Sequence, residues 1–249
     1  MLSSEFADRE LELLVQACKR DLGSPNRWIT PGGYPKSLAL CVIDAVFSIN
    51  ARYQGVVNVI TRYRGFRENA DNDGIPELLK TFENVDGAQG WADLVRNRCR
   101  TSTRKGILKS EAVLQEARIL DDHKIRTITD FQNAALAGRL GHIEKAWRTV
   151  KGQRPGTSWG YMPILARPRT EYGATSEVIK RYADAVIGVK PDRMIKRYVA
   201  KALTVDESAV SNTKAGNLVK AAAKSVNSDV FALDHVIWRY QSKRPYLRD

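Results

Sequence analysis

The sequence predicts an all-α fold. Three observations carry that expectation. Apolar residues recur at helical spacing in about a dozen short segments, caps and chain breakers separate those segments, and no stretch shows the period-two alternation of a half-buried strand. No internal repeat organises the chain. Its 249 residues, 43% hydrophobic and 27% charged, suffice to bury a core without disulfides or metals.

The elements follow in order. Residues 5–22 form an amphipathic helix with Phe6, Leu11, Leu13, Leu14, Cys18 and Leu22 on its apolar side, closed by Gly23-Ser24-Pro25. After a loop with Pro31-Gly32-Gly33 and Pro35, residues 37–48 are apolar nearly all round, the profile of a fully buried helix. Ser48-Ile49-Asn50-Ala51 interrupts that run, and a helix follows over 53–64. Asp71-Asn72-Asp73-Gly74 lacks the later ligands of a calcium loop and reads as a turn. Short helices are expected over 76–82, 88–96, 110–120, 130–136 and 143–150, with Thr129 or Asp130 capping the fourth. The C-terminal part predicts helices over 194–203, 207–226 and 230–241, with Asp206 and Asp229 as caps.

The charge is strongly biased: 40 Lys and Arg against 28 Asp and Glu give +12. That balance fits a polyanionic partner, nucleic acid before an acidic membrane, and equally a merely basic soluble protein. Arg96, Arg98, Arg100, Arg104, Lys105 and Lys109 cluster among Ser and Thr, either as a solvated face or as a phosphate-facing edge. The three cysteines are far apart and form no C-x-x-C pair, which argues against a disulfide framework, a zinc site or an iron–sulfur cluster. Cys18 and Cys41 have the apolar neighbours of core thiols. No signal-peptide pattern and no apolar run of about 18 residues is present, so the expectation is a cytoplasmic protein, nucleoid-associated if bacterial, that inserts in no membrane.

Two motifs within 153–198 carry chemistry. Arg154-Pro155-Gly156-Thr157-Ser158-Trp159-Gly160-Tyr161 suggests a tight hairpin entering a short helix. Pro191-Asp192-Arg193-Met194-Ile195-Lys196-Arg197-Tyr198 puts a lone carboxylate at the start of a basic amphipathic helix. The hairpin's backbone N–H groups suit a phosphate, or the hairpin is an ordinary connector; Asp192 suits catalysis, a helix cap, or both.

Together with Phe47-Ser48-Ile49-Asn50-Ala51, Leu108-Lys109-Ser110-Glu111-Ala112 and Leu233-Asp234-His235-Val236-Ile237-Trp238, these motifs resemble, in order and spacing, the helix-hairpin-helix DNA glycosylase superfamily that includes endonuclease III and adenine glycosylase. The resemblance runs over roughly 37–244. It implies two helical lobes: a six-helix barrel over 31–167 ending in the hairpin, and a second lobe from 1–30 plus 168–249, with DNA in the cleft between them. Ser158 stands where the family most often has a second glycine. The four cysteines of the endonuclease III cluster are missing, so no cofactor and no metal is expected, as in the cluster-free alkylbase glycosylases.

The resemblance also implies roles. Asp192 is the catalytic carboxylate. Gly156, Thr157, Ser158 and Gly160 at the hairpin, and Arg193 and Lys196 after Asp192, contact DNA. Asn50, or its neighbour Ile49, is the wedge that fills the gap left by a flipped base, or part of a plain helix-ending loop. Trp159, Tyr161 and Trp238 are candidate walls of a base pocket, or core aromatics; Asp44 lies near the second acidic group of adenine glycosylases. The helix after the hairpin starts Trp159-Gly160-Tyr161 without the lysine of bifunctional members. That points to a monofunctional enzyme, without lyase activity, acting on double-stranded DNA as a monomer. Lys190 is the conceivable substitute. The alternative is a non-catalytic DNA-binding protein that retains the fold.

Overall fold

The computed structural model describes residues 2–30, 32–186 and 193–248. Asp192 and Lys190 lie outside these described residues. Thirteen α-helices are present among them: α1 (Leu2–Leu22), α2 (Leu38–Phe47), α3 (Tyr53–Phe66), α4 (Ile75–Glu83), α5 (Gly87–Leu94), α6 (Lys109–Asp122), α7 (Ile128–Leu136), α8 (Leu140–Trp147), α9 (Thr157–Leu165), α10 (Ser176–Ala185), α11 (Arg193–Leu203), α12 (Asn212–Ser225) and α13 (Val230–Gln241). No strand occurs among the described residues, only two isolated bridges, Trp28 with Leu247 and Arg100 with Leu108. The all-α expectation holds. No helix of the described residues is long and apolar enough to cross a membrane.

The chain divides into two compact units, Met1–Pro31 with Ile187–Asp249, and Gly32–Val186. Segment 168–186, expected with the termini, therefore belongs to the middle of the chain. The reason is the anchorage of α10. Tyr182 is fully buried, and its hydroxyl donates to the Pro163 carbonyl at 3.2 Å, at the far end of the hairpin helix.

The middle unit is built around α2. All ten of its residues are buried, as the uninterrupted apolar run requires, and it packs on α3, α4, α6 and α9. Each large apolar side chain withdrawn from water there contributes roughly 1.5–3 kcal/mol. Ser37 caps it by accepting from the Leu40 N–H while its own hydroxyl donates to the Asp73 carbonyl. Asp73, read from sequence only as part of a turn, is buried and takes a bidentate Arg67 and the Tyr63 hydroxyl, tying α3 to the turn after it. Trp91 stacks on Phe82 beneath α2, with ring centroids 5.0 Å apart.

The terminal unit packs α1, α11, α12 and α13 together, with Leu14, Cys18, Tyr198, Val199, Leu233 and Val236 inside. The helix expected over 207–226 is two elements: a 3-10 turn at Glu207–Ala209 and then α12. Asp206 caps the turn, Ser211 restarts the helix by accepting from the Lys214 N–H, and Val210 is buried between them. At α7 the cap is Thr127, not Thr129 or Asp130. Thr127 and Asp130 form a reciprocal capping box.

Candidate nucleic-acid interface

The hairpin forms where the sequence puts it, and its local cause is Gly156. This residue caps α9 with φ 74°, a left-handed conformation that a side chain disfavours. A Cβ there would also lie 2.5 Å from Nη2 of Arg148, whose guanidinium is held by Glu144 at 2.6 Å. Thr157 is exposed at the first turn of α9, where a helix leaves N–H groups without intrahelical acceptors, and Gly160 is exposed one turn on. Ser158 behaves differently from its expected role as a DNA contact. It is buried; its hydroxyl accepts from Trp147 Nε1 at 2.9 Å and donates to Gln153 Oε1 at 2.5 Å. That chain ties the two helices of the hairpin together, which leaves the Ser158 side chain structural.

Trp159 is likewise a core residue rather than a pocket wall. Its ring meets Trp147 edge-on at 5.3 Å and Phe131 at 6.0 Å, because this side of α9 faces α7 and α8. Tyr161, two residues later, turns outward and is 39% exposed.

The loop after α2 is held from beneath. Lys109 is buried, not part of a solvated cationic face. Its ammonium donates to the carbonyls of Phe47 at 2.9 Å and Ile49 at 2.5 Å, satisfying the end of α2. Burial lowers its pKa below the ordinary lysine value. Ile49 is half-buried, and Asn50, exposed with φ 50°, makes the left-handed turn that sends the chain towards α3. Asn tolerates that conformation better than most residues.

Asp44 lies one turn before this loop and is 9% exposed. Its carboxylate accepts from the Tyr34 hydroxyl and the Ser48 hydroxyl, both at 2.7 Å. Burial raises its pKa and these two hydrogen bonds oppose the rise without cancelling it. The Arg64 guanidinium stands 5.8 Å from the centre of the Tyr34 ring. A buried carboxyl with a raised pKa is a candidate proton carrier, and equally a polar strut under the α2–α3 loop.

Facing the α2–α3 loop is the basic loop between α5 and α6. It closes on itself through Thr101 N–H to the Ile107 carbonyl and Lys109 N–H to the Cys99 carbonyl, both short backbone bonds of 2.9 and 2.8 Å. Arg100 donates to the Gly106 carbonyl at 2.7 Å, and Arg98 is neutralised by Asp93. The side chains of Arg52, Arg104 and Lys105 make no hydrogen bond or ion pair among the described residues. Between the two loops is a cavity of about 500 Å³, bordered by Phe47, Asn50, Arg52, Gly55, Cys99, Arg100, Thr103 and Lys109. The same basic loop touches the hairpin: the Thr101 side chain fills the space where a Cβ on Gly152 would stand. The α2–α3 loop, the basic loop and the hairpin turn are thus contiguous in this unit, although they are about 50 residues apart in sequence.

The remaining sequence-derived residues belong to the terminal unit. Arg193 is exposed and Lys196 half-buried at the start of α11; Arg197 pairs with Glu207 at 3.7 Å. Trp238 is half-buried, with the His235 ring stacked on it at 5.9 Å and the Arg244 guanidinium 4.7 Å from its centre. No group of three metal-ligating side chains occurs among the described residues.

Sequence reasoning missed Glu116. It is fully buried on α6, neither carboxylate oxygen has a hydrogen-bond partner among the described residues, and burial pushes its pKa up to about 10. Its signal was present: a carboxylate interrupts the apolar face of Ala112, Val113, Ala117 and Leu120. Tyr34 and Ser48 were also unrecognised as partners of Asp44, since only the fold brings Tyr34 to it.

No curated protein and no solved structure matches the chain. A family model described as a domain of unknown function, DUF8548, matches residues 12–169 and 172–242, nearly the whole sequence, and the chain belongs to that family.

Proposed function

We propose that this protein binds double-stranded DNA and acts on it as a monofunctional N-glycosylase. The observation that carries the DNA-binding part is the contiguity of the α2–α3 loop, the basic loop and the hairpin turn, joined through the shared cavity and the Thr101–Gly152 contact. Exposed cations at Arg52, Arg104 and Lys105, and the N-terminus of α9 at Thr157, offer phosphate partners that read no sequence. Asn50, projecting from a loop anchored by Lys109, is the residue that would enter the duplex. The catalytic part rests on the resemblance of the segment around Asp192. Hydrolysis of an N-glycosidic bond builds positive charge on the sugar as the base leaves, and a carboxylate beside C1′ stabilises that charge while water adds. Asp192 is assigned that role, and the absence of a lysine in Trp159-Gly160-Tyr161 removes the amine that strand cleavage would use.

The test is a base-release screen. Duplex oligonucleotides carrying deaminated, oxidised, alkylated or mismatched bases are incubated with wild-type protein and with Asp192→Asn, and abasic sites are revealed by alkali. The reading expects release of at least one base by the wild type, loss of that activity in Asp192→Asn, and duplex binding retained in both. Binding with a steep salt dependence but no base release across the panel would replace it with a non-catalytic DNA-binding role.

A further inference from the structure

We propose that the cavity between the α2–α3 loop and the basic loop is a binding site for the phosphomonoester group of a nucleotide. Such a site does not depend on whether the protein releases bases.

Three observations lead there. The first is charge. Arg52, Arg100 and Lys109 border the cavity, and among the described residues no carboxylate does. The ammonium of Lys109 is committed to the carbonyl end of α2, so the two arginines remain for a ligand. Arg100 uses one nitrogen on the Gly106 carbonyl, and the Arg52 side chain makes no hydrogen bond among the described residues. Two guanidinium forks with no acid to balance them suit a phosphate dianion, whose oxygens accept paired N–H bonds.

The second is size and lining. About 500 Å³ exceeds what a bare phosphate fills and falls within the range of small-ligand pockets. Phe47, Ala51 and Gly55 supply an apolar wall beside the cations, and Asn97, Ser102 and Thr103 supply polar groups. A charged end next to an apolar surface matches a phosphate joined to a sugar and base.

The third is preorganisation. The backbone bonds of Thr101 and Lys109 close the basic loop, and Lys109 pins the opposite loop through Ile49, so both walls are fixed before a ligand arrives. The phosphomonoester has two possible sources, a free mononucleotide or the 5′ end of a nucleic-acid strand.

Gly55 provides the test. It borders the cavity in the first turn of α3, and a Cβ placed on it meets no atom within 4 Å. Gly55→Leu therefore fills the space at a helical position where leucine is favoured over glycine. Arg52→Ala is the second variant; the Arg52 side chain makes no capping bond to α3, so its loss leaves the helix start unchanged. Calorimetric titration compares deoxyadenosine 5′-monophosphate with deoxyadenosine, and fluorescence anisotropy compares 5′-phosphorylated with 5′-hydroxyl single-stranded oligonucleotides. Wild-type protein is expected to bind a phosphorylated ligand at least about tenfold more tightly than its hydroxyl counterpart, the discrimination that one bidentate charged contact supplies. Both variants are expected to lose that preference, with the Gly55→Leu melting temperature equal to or above wild type. Preference in the oligonucleotides alone assigns the strand end; preference in both pairs assigns the free nucleotide. Equal binding of phosphorylated and hydroxyl ligands by the wild type, or a preference that survives in Gly55→Leu or in Arg52→Ala, overturns the proposal. Binding of a closed circular duplex, which has no 5′ end, is measured alongside and reports on the DNA-binding reading separately.

Discussion

Lys109 holds the carbonyl of Ile49, 60 residues before it, and with the same ammonium the carbonyl of Phe47. One side chain thus closes the end of α2 and sets the conformation of the loop that carries Asn50. Lys109→Met keeps the aliphatic stem and removes the donor, leaving two carbonyls without it. Hydrogen bonds to a charged group are worth about 1.5–3 kcal/mol each, and water reaching the loop offsets part of the loss. The expected cost is about 2–3 kcal/mol in urea unfolding, with weakened duplex binding as the loop loses its anchor.

Glu116 makes the stability of the middle unit depend on pH in an unusual direction. Its pKa is raised from 4.5 to about 10 by burial alone. The folded state therefore retains a proton that the unfolded state releases above pH 4.5. Stability is lost as pH rises from about 4.5 towards 10, by up to about 1.4 kcal/mol per pH unit from this group. Denaturant unfolding of wild type and Glu116→Gln at pH 5, 7 and 9 should show the stability difference shifting steadily in favour of the Gln variant as pH rises. A constant difference across that range would show that Glu116 does not titrate in this way.

Ser158 separates structure from phosphate binding at the hairpin. Because its hydroxyl links Trp147 to Gln153 inside the unit, Ser158→Ala should cost about 1–2 kcal/mol by orphaning buried polar atoms. Duplex affinity at fixed salt should stay near the wild-type value, since the buried hydroxyl reaches no phosphate. A roughly tenfold loss of affinity in folded Ser158→Ala would mean that the hydroxyl does meet DNA.

Arg104 and Lys105 are the complementary case. Both are exposed on the basic loop. Replacing both with Gln should leave the melting temperature within a degree or two. The slope of log K against log salt should fall by roughly two, because each of the two cations displaces about one counterion when it neutralises a phosphate.

Much of this architecture was legible before the fold. The buried nature of α2 followed from an apolar run with no polar face, and Asp229 as the cap of α13 from its place before Val230-Phe231-Ala232. The hairpin followed from Pro155-Gly156, and the φ of 74° at Gly156 explains why glycine stands there. What failed was the assignment of side chains to inside or outside. Ser158 and Trp159 sit in a motif that suggests contact with a ligand, yet both point into the unit. Lys109 belongs to a run of cations that suggests solvent, yet it is buried. A helix start can be read from neighbouring residues; which of its faces is covered depends on helices that arrive from elsewhere.

The sequence by itself determined the all-helical class, most helix positions, the excess of positive charge and the glycine on which the hairpin turns. These are local properties, set by propensity, capping and periodicity over a few residues. The tertiary structure alone decided that Tyr34 meets Asp44, that the loops at 48–52 and 97–105 border one cavity, that Thr101 touches Gly152, and that Glu116 is stranded in the core. Such contacts join residues that are distant in sequence. They arise when α2 is surrounded on every side, a packing outcome that no short window of sequence contains.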